Sequence, residues 1–129
     1  MTLYICLDDK NGLKFNKRRQ SRDAAVLEDI RSCLSGDLLI HPYSEKLIQE
    51  VQIPYVLPPE TAKDLFLEDV PTEEILLSCE KVVIYRWNRH YPADTRWDPD
   101  LENRGFSLAE TTEFPGKSHE KITREVYVK

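Results

Sequence analysis

Five consecutive apolar residues near the start of the chain constrain its fold more than any other feature. Residues 3–7 show no polar alternation, which is typical of a strand buried on both faces of a sheet. Asp8 and Gly12 follow this run, and a helical pattern begins near Asp23. A buried strand that leads through a loop into a helix predicts an α/β architecture.

The residues after this loop alternate between helical and extended patterns. A first helix is predicted, and its buried face would contain Val26, Leu27, Ile30, Cys33 and Leu34. Ser21 or Asp23 can cap its N-terminus, and Gly36 stands where a left-handed residue ends many helices. Shorter elements follow at residues 38–40 (strand), 43–50 (helix), 53–57 and 65–67 (extended, one of them an edge), 73–79 (helix capped by Thr72) and 81–87 (strand).

The last part of the chain contains a polar loop and two extended runs. The loop covers residues 88–103, and the runs cover residues 106–114 and 120–128. The short connection between the runs contains Gly116, which predicts a hairpin. We expect Gly116 to supply a turn conformation, so Gly116→Val should destabilise the fold by more than about 1 kcal/mol. Together the elements predict an α/β fold in one domain over residues 1–129, with a single mixed sheet, helices on its faces and a C-terminal antiparallel hairpin.

Composition limits the classes of protein to which the chain can belong. No run of eighteen apolar residues is present, so we expect no membrane contact, and the N-terminus shows no secretory pattern. Cys6, Cys33 and Cys79 are odd in number and lie in apolar patterns, which favours buried free thiols and a cytoplasmic location. The net charge of -5 disfavours general nucleic-acid binding.

A basic segment stands out against this acidic composition. Residues 10–22 contain six Lys or Arg and no acid, and they lie between a strand, a glycine and a helix start. Such an arrangement can bind an anion. The alternative is a solvated loop. The candidate binding residues are Lys14, Lys17, Arg18, Arg19, Arg22 and Asp23. If the loop binds an anion, replacing Arg18 and Arg19 with alanine should abolish binding and leave stability nearly unchanged.

A second cluster combines arginine with aromatic residues at the end of the strand at residues 81–87. Arg86, Trp87 and Arg89 are candidate binding residues, because arginine beside aromatic rings suits the stacking of planar ligands or a protein contact. The alternative is a strand end in which alternate side chains are buried.

The order of the elements resembles the dihydrofolate reductase fold in a shortened form. Residues 3–7 are similar to the first strand of that family, residues 8–16 to its active-site loop and residues 23–34 to its first helix. Gly36 to Ser44 is similar to the second strand and the start of the next helix. The late residues 83–87, 93–100, 106–114 and 120–128 are similar to the last three strands and an Asp-rich loop.

The resemblance implies a role for Asp23 but not a cofactor. Asp23 matches the family's substrate-side carboxylate, which would hold a pterin-like ring or relay a proton. The alternative is a helix N-terminal Asp that the dipole stabilises. No Gly occurs from residue 37 to residue 104, although close approach to a pyrophosphate needs one, and the phosphate-binding pair is replaced by His41-Pro42-Tyr43-Ser44. We therefore expect no nicotinamide cofactor.

Two segments, Asn11-Gly12 with residues 15–23 and the run at residues 85–94, also resemble small bacterial proteins, some of which carry the label ribonuclease Z. That activity needs a cluster of histidines around two metal ions. The three histidines here are His41, His90 and His119, and none lies within four residues of another. No metal site is predicted. His119 stands at a hairpin start, where we expect it to be solvated, and no catalytic residue is assigned.

Three functions remain open on the sequence alone. The favoured hypothesis is a non-enzymatic module on a degenerate reductase-like scaffold, which binds an anionic small molecule or a protein partner through the basic segment. The first alternative is an atypical oxidoreductase of the dihydrofolate reductase-like class. The second is a nucleic-acid-binding or RNA-processing protein, which the acidic net charge disfavours.

Overall fold

A computed structural model describes residues 1–129 and contains ten strands and three α-helices. The strands are β1 (Thr2–Leu7), β2 (Gly12–Phe15), β3 (Arg18–Arg19), β4 (Leu38–Leu39), β5 (Tyr55–Val56), β6 (Asp64–Phe66), β7 (Lys81–Arg86), β8 (Thr95–Arg96), β9 (Ser107–Phe114) and β10 (Ile122–Val128). The helices are α1 (Ala24–Cys33), α2 (Glu45–Glu50) and α3 (Glu73–Leu77). None of them is long and apolar enough to cross a membrane.

Seven strands form the main sheet, in the order β5-β4-β6-β1-β7-β10-β9. The first five of these are parallel, whereas β10 runs antiparallel to both β7 and β9. This arrangement confirms the predicted mixed sheet and its closing C-terminal hairpin. It also places β5 at an edge, as the proline-flanked sequence predicted. A small sheet, β3-β2-β8, was not predicted.

The main sheet is covered on both faces, which explains the uninterrupted apolar run in β1. Leu3, Ile5 and Leu7 point to the face that also holds α3, whereas Tyr4 points to the face that holds α1 and α2. All four side chains are at most 2% exposed. The strand β1 lies between β6 and β7, so its position in the centre of the sheet is confirmed.

Helix α1 begins where the sequence predicted, but its end differs from the prediction. Asp23 caps it by accepting a hydrogen bond of 2.8 Å from the Ala25 amide. Cys33 is exposed, so the prediction of three buried thiols was wrong for this residue. Gly36 does not adopt a left-handed conformation, because the chain leaves α1 through an extended Leu34. The expected glycine cap was therefore also wrong.

The next two helices are shorter than the sequence pattern predicted. The helix predicted over residues 43–50 is a 3-10 turn, Pro42–Ser44, followed by α2. Helix α3 ends at Leu77, and Thr72 caps it with a bond of 3.2 Å from its hydroxyl oxygen to the Ile75 amide, as predicted. The polar loop at residues 88–103 contributes β8, which pairs with β2 and ties the loop to the basic segment.

The turn between β9 and β10 contains a glycine that is needed for a different reason than expected. Gly116 is not left-handed; among the glycines only Gly105 is, at φ 88°. A Cβ atom at Gly116 would instead lie 2.5 Å from the Asp23 Oδ2 atom and 2.6 Å from the His119 carbonyl oxygen. The residue is small because the start of α1 packs directly on this turn.

Candidate functional site

The carboxyl ends of β1, β6 and β7 meet the start of α1 at one edge of the sheet. This is where ligands bind in open α/β sheets. A pocket of about 30 Å³ opens here. We call it the strand-end pocket; it is lined by Cys6, Leu13, Arg19, Ser21, Arg22, Asp23, Val26, Leu27, Leu47, Phe66, Leu67, Glu68 and Trp87. It therefore brings Trp87, from the aromatic cluster, beside the basic segment, which the sequence alone could not decide.

Asp23 sits at the base of this pocket and is only 3% exposed. Its carboxylate accepts hydrogen bonds from the Lys117 amide at 2.9 and 3.0 Å and from the Ser118 amide at 2.9 Å. Burial alone would raise the pKa of this carboxyl, but the bonds from Lys117, His119, Ser118 and Ala25 outweigh it and hold the pKa well below its usual value. Asp23 is thus ionised at neutral pH, and its carboxylate joins α1 to the hairpin turn.

His119 is buried, so the expectation that it is solvated was wrong. The ring packs parallel to Trp87, with centroids 4.6 Å apart and an interplanar angle of 19°. Its Nδ1 lies 3.0 Å from the Asp23 Oδ2. Its Nε2 lies 3.1 Å from the Ser21 hydroxyl and 2.8 Å from the Tyr91 hydroxyl. Sequence patterns could not reveal this cluster, because Asp23 and His119 are 96 positions apart.

A second buried carboxylate, Asp8, fixes the loop after β1. It accepts hydrogen bonds from the amides of Lys10, Gly12 and Tyr91 and from the side chain of Gln20. Burial would raise its pKa, but these bonds together lower it. Asp8 therefore holds the basic segment and the 88–103 loop in fixed positions relative to β1.

Three of the six basic residues in the basic segment form ion pairs within the chain. Lys14 pairs with Asp69 at 2.9 Å, and Arg22 pairs with Glu50. Arg19 binds both carboxylate oxygens of Glu68, at 2.7 and 2.9 Å. The remaining basic residues, Lys10, Lys17 and Arg18, are exposed and have no carboxylate partner.

The helix start that was expected to attract an anion already holds one. The Asp23 carboxylate occupies the N-terminus of α1, and the Asp23 carbonyl accepts from the Val26 amide at 3.1 Å. An external anion at the basic segment would consequently be bound by side chains and not by the helix dipole.

Arg18 lies in an open groove of about 480 Å³ on the outer side of the basic segment. We call it the basic groove; it is lined by Phe15, Asn16, Arg18, Arg19, Gln20, Tyr91 and Pro92. No acidic residue lines it. Phe15 is 44% exposed, which leaves an aromatic face beside the arginines.

The other candidates at the end of β7 have separate positions. Arg86 is bound to Glu125 at 3.2 Å and to the Asn11 side chain at 2.7 Å. Trp87 is 5% exposed, against His119. Arg89 is exposed, and its guanidinium lies 5.5 Å from the centroid of the Tyr91 ring. Only Arg89 of the three presents a free charged group to solvent. No group of three or more His, Cys, Asp or Glu side chains is arranged to hold a metal ion.

Comparison with known proteins identifies the fold. No protein-family model and no curated protein sequence matches the chain. Among solved structures, the dihydrofolate reductase from Enterococcus faecalis, complexed with NADP(H) and RAB-propyl, is similar with a TM-score of 0.64 and 10% identity. The match covers 98% of this chain and 94% of that chain. The likeness confirms the predicted dihydrofolate reductase-like fold, and at this identity it concerns the fold alone.

Proposed function

We propose that this protein binds a small anionic ligand, with a planar or apolar part, in the basic groove. The observation that carries the proposal is Arg18, a guanidinium without an internal partner in a groove that contains no acid. The groove's volume of about 480 Å³ lies within the usual range of roughly 300–1,000 Å³ for small-molecule sites.

Arg19 and the aromatic rings give the groove its shape. Arg19 is held by Glu68 and stacks over the Tyr43 ring at 5.0 Å. Because this guanidinium is fixed, Arg18 and Lys17 are the basic side chains that remain free to approach a ligand. Phe15 and Tyr91 offer faces on which a planar group can stack. The groove is lined by no carboxylate, imidazole or thiol that could act as a base or nucleophile, which favours binding over catalysis there.

The nicotinamide cofactor of dihydrofolate reductases does not fit the residues at the corresponding strand ends. After β7 the chain presents Trp87, which packs on His119, and Asn88, whose amide donates to the Lys121 carbonyl and the Thr123 hydroxyl. After β4, Ser44 donates its hydroxyl proton to Glu68 at 2.7 Å. A carboxylate beside that hydroxyl repels a phosphate. The alternative of an atypical oxidoreductase therefore has no structural support in these positions.

The strand-end pocket is too small for a folate. Its volume of about 30 Å³ corresponds to one or two water molecules. A reductase-type ligand would have to displace Leu27 or Phe66, which are both 3% exposed in the core. The small volume of this pocket supports the basic groove as the site of the proposed ligand.

A thermal-shift screen tests the proposal with pyrophosphate, ATP, NADPH, folate and a short RNA at low salt. A probe at ten times its dissociation constant stabilises the fold by about 1.4 kcal/mol, which raises the melting temperature by roughly 3–8 °C. We expect a shift with a phosphate-bearing small molecule, and we expect salt to reduce it.

Two variants make the screen specific. Arg18→Ala should remove the shift, whereas Arg96→Ala should keep it, because Arg96 is also exposed and unpaired but lies outside the groove. A shift that survives Arg18→Ala, or no shift with any small anion, would refute the proposal. A shift with RNA alone would favour the nucleic-acid alternative.

A further inference from the structure

A chain of hydrogen bonds runs from Ser21 through His119 to Asp23. The distances are 3.1 Å from the Ser21 hydroxyl to Nε2 and 3.0 Å from Nδ1 to the Asp23 carboxylate. The His119 and Asp23 side chains are 1% and 0% exposed. A hydroxyl, an imidazole and a buried carboxylate in this order form the arrangement that activates a serine.

The carboxylate determines which ring nitrogen can act as a base. Asp23 is ionised and can only accept hydrogen bonds, so the Nδ1 of a neutral His119 ring must carry the proton that it donates. The single Nε2 lone pair is then shared by two hydroxyl donors, Tyr91 at 2.8 Å and Ser21 at 3.1 Å. Trp87 holds the ring plane by stacking on it. The ring is thus oriented to take a proton from Ser21.

Ser21 is reachable from outside, unlike the two residues behind it. It is partly exposed and lines the strand-end pocket together with Arg19 and Arg22. The Nη1 of Arg19 makes no contact with Glu68, since Nε and Nη2 form that ion pair. The guanidinium is therefore a cationic group in the lining of the same pocket as Ser21, where it can stabilise developing negative charge.

Cys6 lines the same pocket but is a poor competitor for this role. Burial raises the pKa of its thiol far above neutrality, so the reactive thiolate is absent at ordinary pH. The pocket volume of about 30 Å³, which corresponds to one or two water molecules, restricts the group bound there to a very short one.

We propose that Ser21 is a nucleophile that accepts a short acyl group from an ester, with His119 as general base and Asp23 as its positioning residue. In this step the Ser21 proton moves to His119 Nε2, and the serine oxygen forms a bond to the ester carbonyl carbon. The bond from that carbon to the leaving oxygen breaks, and His119 returns the proton to the leaving alcohol. Water then repeats the sequence on the acyl-serine and releases the acid.

This proposal goes beyond the binding role of the basic groove, and it names catalytic residues where the sequence analysis assigned none. The two can fail independently, because Arg18 is not part of the hydroxyl–imidazole chain and Ser21 does not line the groove.

A covalent probe tests the serine directly. A fluorophosphonate bonds through phosphorus to an activated serine oxygen and releases fluoride, and peptide mass spectrometry then locates the adduct. We expect one adduct, on Ser21, in the native protein and none after heat denaturation. Labelling should be lost in Ser21→Ala and retained in Ser107→Ala, an exposed serine at the start of β9. The Ser21 hydroxyl bonds only to His119, which keeps Tyr91, so this variant should fold.

The base is tested with His119→Gln. Glutamine can still donate a hydrogen bond to Asp23 but cannot take up a proton, so the labelling rate should fall by about 100-fold or more while circular dichroism shows a native fold. When the reaction with 4-nitrophenyl acetate is quenched with acid, an acetyl group should likewise be found on Ser21. No adduct on the folded wild-type protein, or an adduct on a different residue, would overturn the proposal. Because the adduct is located in the wild-type protein, this test stands even if a variant fails to fold.

Discussion

The packing of Gly116 on the start of α1 makes a sharp prediction about the alanine variant. A Cβ atom there would lie 2.5 Å from Asp23 Oδ2, and ordinary contact begins at 3.4 Å, so the two groups must separate by about 0.9 Å. The Asp23 oxygen is not free to move, because it accepts bonds of 2.9 to 3.0 Å from the amides of Lys117 and Ser118 and from the His119 ring.

A shift of this size removes one or two of those bonds. Each hydrogen bond to a charged group contributes about 1.5–3 kcal/mol, so Gly116→Ala should lower the free energy of unfolding by about 2–5 kcal/mol. Urea denaturation followed by circular dichroism measures this value, and the m-value should stay unchanged.

Two other glycines provide matched controls. An added Cβ at Gly36 meets nothing within 4 Å, so Gly36→Ala should be neutral or stabilise by up to about 1 kcal/mol. At Gly105 there is equal space but φ is +88°, so alanine should destabilise by about 1–2 kcal/mol through backbone strain alone. If Gly116→Ala were as stable as Gly36→Ala, the hydrogen bonds to Asp23 would not hold its carboxylate rigidly. That result would refute the predicted loss of stability.

Further predictions concern the charged groups around the pocket. Arg19→Ala should destabilise by about 1–3 kcal/mol, because it leaves the Glu68 carboxylate, only 12% exposed, without its cation. This replaces, for Arg19, the expectation that both Arg18 and Arg19 can be changed to alanine with stability nearly unchanged. Arg18→Ala should be neutral, and equal thermal melting of the two variants would contradict this. The carboxyls of Asp8 and Asp23 have lowered pKa values, so their bonds stabilise the fold above about pH 4 and this contribution is lost as the pH falls further. The free energy of unfolding should therefore fall less steeply with decreasing pH in Asp23→Asn than in the wild-type protein. An unchanged slope would argue against a lowered pKa for Asp23.

The sequence was informative where local pattern and packing agree. The apolar runs of β1 and β7, the cap at Asp23 and the glycine-containing hairpin were all visible as short patterns, and they define the sheet. The burial of His119 was not visible, because it depends on contacts with Trp87 and Asp23 that only the folded chain creates. The pairing of Arg19 with Glu68 was hidden for the same reason, since 49 positions separate them.

The hydrogen bonds that the Asp23 carboxylate accepts decide whether it can also hold a ligand. The resemblance to dihydrofolate reductases implies that Asp23 holds a pterin-like ring, which needs acceptor oxygens that face the ligand. A carboxylate has about four acceptor sites. Here four donors already reach it: the amides of Ala25, Lys117 and Ser118 and the His119 ring. Since no acceptor remains for a ligand, Asp23 orients its neighbours, and the hydrogen bonds continue from it through His119 to the Ser21 and Tyr91 hydroxyls.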